Sequence, residues 1–285
     1  MGKFKTEMKT TRNADEMRGV EVEIDFTSNA LASILYRQGE TVVLACCTKE
    51  ARLPGWFPRD SNKGWVHAEY SLLPGSTDSR FRRERRGAKG RTQEIERLVA
   101  RSLRAGVDLE ELGPVALNVD CDILNADGGT RCASITAANL ALRLGIRRLI
   151  ANGQCLPKHL RPTEDQRRSG WSAPTLSAEE QHEHEMRVLP HDVAAISVGL
   201  IDGKTYLDLD YILDSNVDVD MNVVKISTGS FVKFRVPAKK PRINVKNSKD
   251  CSIVQKLASL PSLKCTHMSC LDKSEQRRLE IPRHV

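Results

Sequence analysis

Runs of hydrophobic residues predict strands in both halves of the chain. Residues 33–48 form an apolar run that turns through a short polar segment and returns, which is typical of a hairpin. Residues 115–123 alternate hydrophobic and polar positions, the period of a half-buried strand. Two further runs, 193–201 and 205–213, flank the turn dipeptide Asp202-Gly203 and predict a second hairpin.

Two segments carry hydrophobic residues at helical spacing. In residues 91–105 these positions share one face, and residues 132–150 form a longer helical pattern. The second helix follows strand 115–123 through a turn at residues 127–131, so the order is strand, glycine turn, helix. Together the elements predict an α/β (α+β) fold, with mixed β-sheets, packed helices and βαβ-type units.

Residues 155–191 lack a sustained period. They contain four prolines and many Gln, Glu and Arg residues, which predicts an inserted surface loop. His182 and His184 are possible metal ligands, but no neighbouring residue type completes a site.

Composition excludes several classes of protein. Hydrophobic residues make up 40% of the 285 residues and charged residues 28%, which excludes a mainly disordered chain. No apolar run approaches the ~20 residues that cross a bilayer, and the first ten residues lack the apolar core of a secretory signal. We therefore expect a cytoplasmic protein with no membrane partner. The eight cysteines show no CxxC spacing, which favours reduced, buried thiols.

Positive charge is concentrated in one segment. The net charge of +7 favours polyanionic partners, and residues 80–91 hold the densest cluster of basic side chains. A solvated loop is the alternative explanation for such a run. The arginines of this segment, here called the arginine loop, are Arg80, Arg82, Arg83, Arg85 and Arg86.

The glycine turn at residues 127–131 has the composition of an anion site. Glycines allow close backbone approach, Thr130 can donate a hydrogen bond, and Arg131 can hold two oxygens at the positive end of a helix. The alternative is a tight strand-to-helix turn with a capping threonine. The pattern is neither a P-loop nor a GxGxxG motif.

Clustered carboxylates begin in the last strand of the second predicted hairpin, where Asp208 and Asp210 share one face, and continue beyond it. Such a cluster suits a hard cation or an acid catalyst, although acids at the end of a strand are also commonly solvated. We expect Asp214 and Asp220, in the loop beyond the strand, to be the functional pair. Carboxylates beside an anion site indicate phosphoryl chemistry. The clustered residues are Asp208, Asp210, Asp214, Asp218 and Asp220.

Several motifs in order resemble the ribonuclease PH family, the phosphate-dependent exoribonucleases that trim tRNA 3′ ends. The resemblance spans about residues 12–232 apart from the segment 155–191, so residues 1–233 are expected to form a ribonuclease PH-like catalytic domain. The matching segments are 64–74 (GWVHAEYSLLP), 90–98 (GRTQEIERL), 120–136 around DGGTR, and 214–224.

The resemblance implies a role for each candidate. Arg91, Gly129, Thr130 and Arg131 would hold inorganic phosphate as co-substrate. Asp214 and Asp220 would bind Mg²⁺ or transfer protons, and the arginine loop would guide RNA. Phosphate would then release a nucleoside diphosphate from tRNA precursors and other RNA 3′ ends. A hexameric ring of this chain is implied as well.

Two departures and one alternative accompany the resemblance. Gly75 and Asp78 stand where relatives often carry Arg and His, so the contact with tRNA is expected to differ. The alternative function is a catalytically silent RNA-binding subunit of an exosome-like ring. Retention of both the phosphate-binding residues and the acids argues against it.

The resemblance stops near Val232. The chain beyond this point is rich in lysine and lacks a clear period. Codons shifted by one nucleotide can encode a continuation of the family's strand and closing helix. We therefore predict that residues 234–285 are an aberrant tail produced by a frameshift.

Overall fold

The computed structural model describes residues 12–58 and 61–235, and these contain two β-sheets. The first sheet has the strand order β1-β2-β3-β5-β4, in which β4 and β5 are parallel and the other pairs antiparallel. Its strands are β1 (Val20–Ile24), β2 (Ala32–Gln38), β3 (Thr41–Lys49), β4 (Trp65–Leu72) and β5 (Ala116–Asn125). The predicted hairpin at 33–48 is confirmed as β2 and β3.

The second sheet is antiparallel, with the order β7-β6-β8-β9. Its strands are β6 (Val193–Ile201), β7 (Lys204–Leu207), β8 (Val219–Ile226) and β9 (Phe231–Arg235). The sheet ends with the described part of the chain, so the predicted tail at 234–285 lies outside the described residues from position 236 onward.

Helix α1 (Gly90–Ala105) joins the parallel strands β4 and β5, which forms a βαβ unit. The short helix α2 (Leu109–Leu112) lies in the same crossover, and Asp108 caps it by accepting from the amides of Glu110 and Glu111. No helix of residues 12–58 and 61–235 is both long and apolar enough to span a bilayer.

Helix α3 (Thr130–Ala151) is the centre of the fold. It packs against β2, β3 and β5 of the first sheet and against β6 and β8 of the second. Most of its residues are buried, as expected for a helix that is apolar on all sides. Gly145 allows close approach to β3, because a Cβ there would lie 2.9 Å from Cys47 Sγ. The thiols of Cys47, Cys121, Cys132 and Cys155 are buried, as predicted, whereas Cys46 is only half-buried and the remaining three cysteines lie outside the described residues.

The chain after the second hairpin differs from the prediction. Strand β7 ends at Leu207, and Asp208 has a positive φ of 54° that turns the backbone out of the sheet. Residues Tyr211–Asn216 then form helix α6, capped by Asp210. The prediction of a strand through residue 213 is therefore wrong. Asp220 lies within β8 and not in a loop.

The segment 155–191 is more ordered than the predicted surface loop. A 3-10 helix, α4 (Glu164–Arg168) and α5 (Ala178–Val188) occupy it, and α5 packs against α2 and α3. Glu185 of α5 accepts from Arg147 Nε at 2.6 Å. The prediction failed because the buried residues of α5 include His184 and Glu185, so hydrophobic periodicity does not reveal the helix.

His184 is fully buried and serves packing. Its Nε2 lies 3.6 Å from Cys155 Sγ, and its Nδ1 has no hydrogen-bond partner among the described residues. No group of three or more candidate ligands in the described residues could hold a metal ion. Burial lowers the pKa of His184 to about 4, so the imidazole is neutral in the folded protein near pH 7.

We predict that acid destabilises the fold through His184. Unfolding restores a pKa near 6.5, so the free energy of unfolding falls by up to about 1.4 kcal/mol per pH unit as the pH drops from about 6.5 to 4. His184→Leu removes this component in urea unfolding measured across that range. His182→Leu, which removes an exposed imidazole from the same helix, is the matched control. Equal slopes in the wild type and His184→Leu would contradict the prediction.

Candidate active site

A cavity of about 780 Å³ opens where the carboxyl ends of β4 and β5 face α6 and β8. It brings together residues that are far apart in the sequence and come from both sheets. The predicted site residues that line it are Arg80, Arg82, Arg91, Gly129, Thr130, Arg131, Asp214 and Asp220. Arg83, Arg85 and Arg86 do not line the cavity. They follow Arg82 along the same exposed loop.

The glycine turn forms one side of the cavity. Gly128 and Gly129 have φ values of 71° and 62°, so the chain enters α3 through two left-handed residues. A Cβ on Gly128 would collide with backbone atoms of Leu209 and Asp210, because the turn packs directly against the segment before α6. Thr41 Oγ1 fixes the turn by donating to Gly128 O at 2.8 Å and accepting from Asp127 N at 3.1 Å.

An ion pair holds the glycine turn against the second half of the chain. Arg18 donates to both carboxylate oxygens of Asp208, from Nη2 at 2.7 Å and from Nε at 3.0 Å. Its Nη1 donates to Asp127 O at 2.6 Å. Arg12 also contacts Asp208, donating from Nη2 to its carbonyl oxygen at 2.8 Å.

Asp208 is 1% exposed, and the effect of charge pairing on its pKa outweighs the effect of burial. Burial alone would raise the pKa of this carboxyl, but the hydrogen bonds and positive charge of Arg18 hold the pKa below its usual range. The pKa of Arg18 is correspondingly raised: burial opposes protonation, and the carboxylate of Asp208 more than compensates.

The same turn positions α6 and its acid. Asp127 Oδ1 accepts from the amide of Tyr211 at 3.1 Å, and Asp210 Oδ1 accepts from the amide of Leu213 at 2.8 Å. These contacts fix the first turn of α6, which carries Asp214. Asp220 pairs with Gly199 in the neighbouring strand and is 8% exposed. The two predicted acids therefore reach the cavity from a helix and a strand.

Tyr70 connects the first sheet to Thr130, a candidate anion-binding residue. Its hydroxyl donates to Thr130 Oγ1 at 3.1 Å. Burial raises the pKa of Tyr70, while the hydrogen bond to Thr130 and the positive charges of Arg91 and Arg131 act in the opposite direction. Both arginines are thus close enough to act electrostatically on one buried phenol.

Three polar atoms around the cavity are buried without a hydrogen-bond partner among the described residues. They are Ser76 Oγ, Arg131 Nε and Asn222 Nδ2. A buried polar group without a partner is costly, and such groups at a cavity are commonly completed by a ligand. Two of the three can only donate, which matches a ligand rich in acceptors such as a phosphate.

The arginine loop runs from β4 to α1 without regular structure, and its five arginines are exposed. None of them forms an ion pair within the described ranges of the chain. Their charge is therefore available to a polyanion that approaches the cavity from solvent. Gly75 and Asp78, the positions that depart from the family pattern, also line the cavity.

Asp214 and Asp220 have the donor chemistry that suits Mg²⁺. Magnesium is usually bound by one or two carboxylates together with water and substrate phosphates. Two carboxylates beside a candidate phosphate site match this coordination preference.

Comparison with known proteins places the chain among ribonucleases. It is 45% identical over 227 residues to the ribonuclease PH of Rhodopirellula baltica, which covers 79% of this chain and 82% of that protein. It is also 43% identical over 226 residues to the ribonuclease PH of Corynebacterium glutamicum, covering 79% and 80%. The chain belongs to the ribonuclease PH family. A model of the 3′ exoribonuclease family, domain 1, matches residues 16–145.

Solved structures agree with a ribonuclease PH-like fold. Rice Rrp46 superimposes with a TM-score of 0.60 at 15% identity, covering 86% of this chain and 90% of that one. A chain of the Archaeoglobus fulgidus exosome with RNA bound to the active site gives a TM-score of 0.63 at 18% identity, covering 94% and 91%. The predicted fold class and family are therefore confirmed.

Sequence reasoning missed the residues that hold this cavity together. Arg18 lies in a stretch without a motif, and Asp208 resembles a solvated acid at the end of a strand. No spacing rule connects two residues 190 positions apart. Ser76 and Asn222 fall within or beside the motifs of the family, but only the burial of their side chains distinguishes them.

We predict that Asp208→Asn destabilises the protein by about 3 kcal/mol, because it removes the shorter of the two carboxylate contacts of the buried Arg18 guanidinium and leaves only the one to Asp127 at 3.4 Å. The free energy of unfolding in urea at pH 7 measures this loss. Asp202→Asn is the matched control, since Asp202 also has a positive φ but is exposed in a turn. A loss at Asp208 no larger than at Asp202 would show that the ion pair is not stabilising.

Proposed function

We propose that this ribonuclease PH family member is a phosphate-dependent 3′-to-5′ exoribonuclease that trims tRNA 3′ ends and releases nucleoside diphosphates. The observation that carries the proposal is the single cavity shared by Arg91, Thr130, Arg131, Asp214 and Asp220. Guanidinium groups and a helix N-terminus suit a nucleophilic phosphate, and the acids suit the departing 3′-oxygen.

The positive charge of the arginines suits each step of phosphorolysis. Arg91, Arg131 and the backbone of the glycine turn bind inorganic phosphate and orient one of its oxygens toward the last phosphodiester. A new P–O bond forms to that phosphorus and the bond to the 3′-oxygen breaks. The nucleoside diphosphate leaves, and the shortened RNA keeps a 3′-hydroxyl. The arginines stabilise charge on the equatorial oxygens.

Asp214 and Asp220 serve the leaving group. We propose that they would hold Mg²⁺, which when bound supplies positive charge that offsets the negative charge of the reacting phosphates. A carboxyl group in the same place can also deliver the proton that the 3′-oxygen takes up. Both roles need acids in the same cavity as the bound phosphate, and α6 and β8 supply them.

The remaining parts of the proposal concern partners. The exposed arginine loop would bind the RNA backbone, which gives affinity without sequence choice. We propose that tRNA precursors are the substrates, that the protein acts in the cytoplasm, and that copies of the chain form a hexameric ring. Membership of the family supports these parts, and the RNA bound to the active site of the Archaeoglobus fulgidus exosome supports the contact with RNA.

A catalytically silent RNA-binding subunit is the second candidate. Such a subunit needs the arginine loop, but it does not need the acids and the phosphate-binding residues in one cavity. Purified protein given single-stranded RNA with and without inorganic phosphate separates the two functions. Nucleoside diphosphate release that requires phosphate supports the enzyme, and RNA binding without release supports the silent subunit.

We predict that Arg131→Ala lowers kcat/KM for phosphorolysis by roughly 100-fold or more, because the variant loses charged hydrogen bonds to the nucleophile. The measurement is nucleoside diphosphate release at saturating RNA with phosphate varied. Arg101→Ala, an exposed arginine on α1 that does not line the cavity, is the control and keeps the wild-type rate. Equal rates for the two variants would show that Arg131 does not bind the nucleophilic phosphate.

We predict that the double variant Arg85→Ala/Arg86→Ala weakens RNA binding uniformly across sequences. The slope of log K against log salt should become shallower by about 1.4, since each lost contact to single-stranded RNA contributes about 0.7. Arg97→Ala/Arg101→Ala, with the same charge change on the exposed face of α1, is the control. Identical slopes for both doubles would show that the arginine loop does not contact RNA.

A further inference from the structure

Asn222 is a buried side chain at the cavity for which neither the proposed mechanism nor the family resemblance supplies a role. It lies in β8 two residues after Asp220, so both side chains are on the same face of the strand. It is 5% exposed and lines the cavity with Asp220 and Arg131. The side chain of Asn222 therefore shares one cavity with the acid of β8 and the guanidinium at the start of α3.

The orientation of this amide is set by Cys132. The thiol donates to Asn222 Oδ1 at 3.2 Å, so the oxygen of the amide faces α3. Burial raises the pKa of Cys132, so the thiol keeps the proton that it donates. Cys132 follows Arg131 directly, and the contact therefore ties the amide to the first turn of α3.

The two N–H groups of Nδ2 have no acceptor among the described residues. Arg131 Nε is a second buried donor in the same condition. A ligand rich in acceptors can satisfy both atoms, and hydrogen phosphate near neutral pH presents several unprotonated, negatively charged oxygens. Ribose hydroxyls and base edges present donors as well as acceptors, so they match the pair less well.

We propose that Asn222, held by Cys132, donates a hydrogen bond to an oxygen of the inorganic phosphate and is a further substrate-binding residue of the site. The proposal deepens the proposed function and rests on it for the identity of the substrate. Asn222 would bind the phosphate from the side of β8 while the glycine turn and Arg131 bind it from the side of α3.

The test compares Asn222→Ala with Asn222→Asp. The alanine variant removes the donor without adding charge. The aspartate variant has nearly the same shape, keeps an oxygen for the thiol of Cys132 and replaces the donor by an acceptor. Inorganic phosphate is titrated calorimetrically into each purified protein, and steady-state phosphorolysis is measured with phosphate and RNA varied separately.

We expect Asn222→Ala to raise the Kd and the KM for phosphate roughly 10-fold, with the KM for RNA within twofold of the wild type. Asn222→Asp should raise both phosphate constants further, because it places a carboxylate beside the anion. Cys132→Ser retains a donor to Asn222 and should stay near the wild type, whereas Cys132→Ala should show part of the Asn222→Ala effect.

Asn118→Ala is the matched control, because Asn118 is a strand asparagine of the first sheet outside the cavity. Its phosphate constants should not change. Unchanged phosphate binding in a folded Asn222→Ala protein would overturn the inference, as would a rise confined to the KM for RNA. If Asn222→Ala does not fold, Asn222→Asp decides by the same criteria.

The experiment also separates this inference from the proposed function. Wild-type protein that binds phosphate but releases no nucleoside diphosphate would refute the enzyme, and a loss of phosphate binding in Asn222→Ala would still support the role of the amide. Active wild-type protein with unaltered phosphate constants in the variant would refute the inference alone.

Discussion

The site depends on one buried ion pair. A guanidinium with little access to solvent is stable only when its charge and hydrogen bonds are satisfied, and Arg18 meets this need with Asp208 and the carbonyl oxygen of Asp127. The three residues come from the start of the first sheet, the turn before α3 and the exit of β7. Because one side chain joins these segments, the two halves of the chain meet at a fixed distance, and the cavity lies at their junction.

This junction also fixes the glycine turn that we propose binds inorganic phosphate. Its left-handed glycines, the hydroxyl of Thr41 and the packing against Leu209 leave the backbone little freedom. A site that is already ordered does not lose further conformational entropy when it binds, so more of the interaction energy is available for affinity and rate. The acids are fixed in a comparable way, since Asp127 also accepts from the first amide of α6.

Local sequence patterns were sufficient to predict much of the fold. The hairpin of β2 and β3, helices α1 and α3, and the strand-to-helix turn at 127–131 follow from periodicity and glycine, and the motifs gave the family. Long-range contacts were not accessible in the same way. The exit of β7 has the pattern of a strand, but the ion pair of Asp208 with Arg18 and the cap at Asp210 favour a turn and a helix. In α5 the buried face includes His184 and Glu185, so its main local signal is the reciprocal cap of Ser177 and Glu180.

Helix α3 also couples side-chain packing in the core to the position of Arg131 in the cavity. The far end of α3 rests on β3 through the contact of Gly145 with Cys47, while its first turn carries Arg131 into the cavity. Because α3 is a continuous helix, a larger side chain at position 145 would shift the whole helix and move the guanidinium of Arg131 relative to Asp220 on β8. Catalytic efficiency can therefore drift during evolution through changes in packing volume about four turns of helix away, while every residue that touches the substrate stays the same.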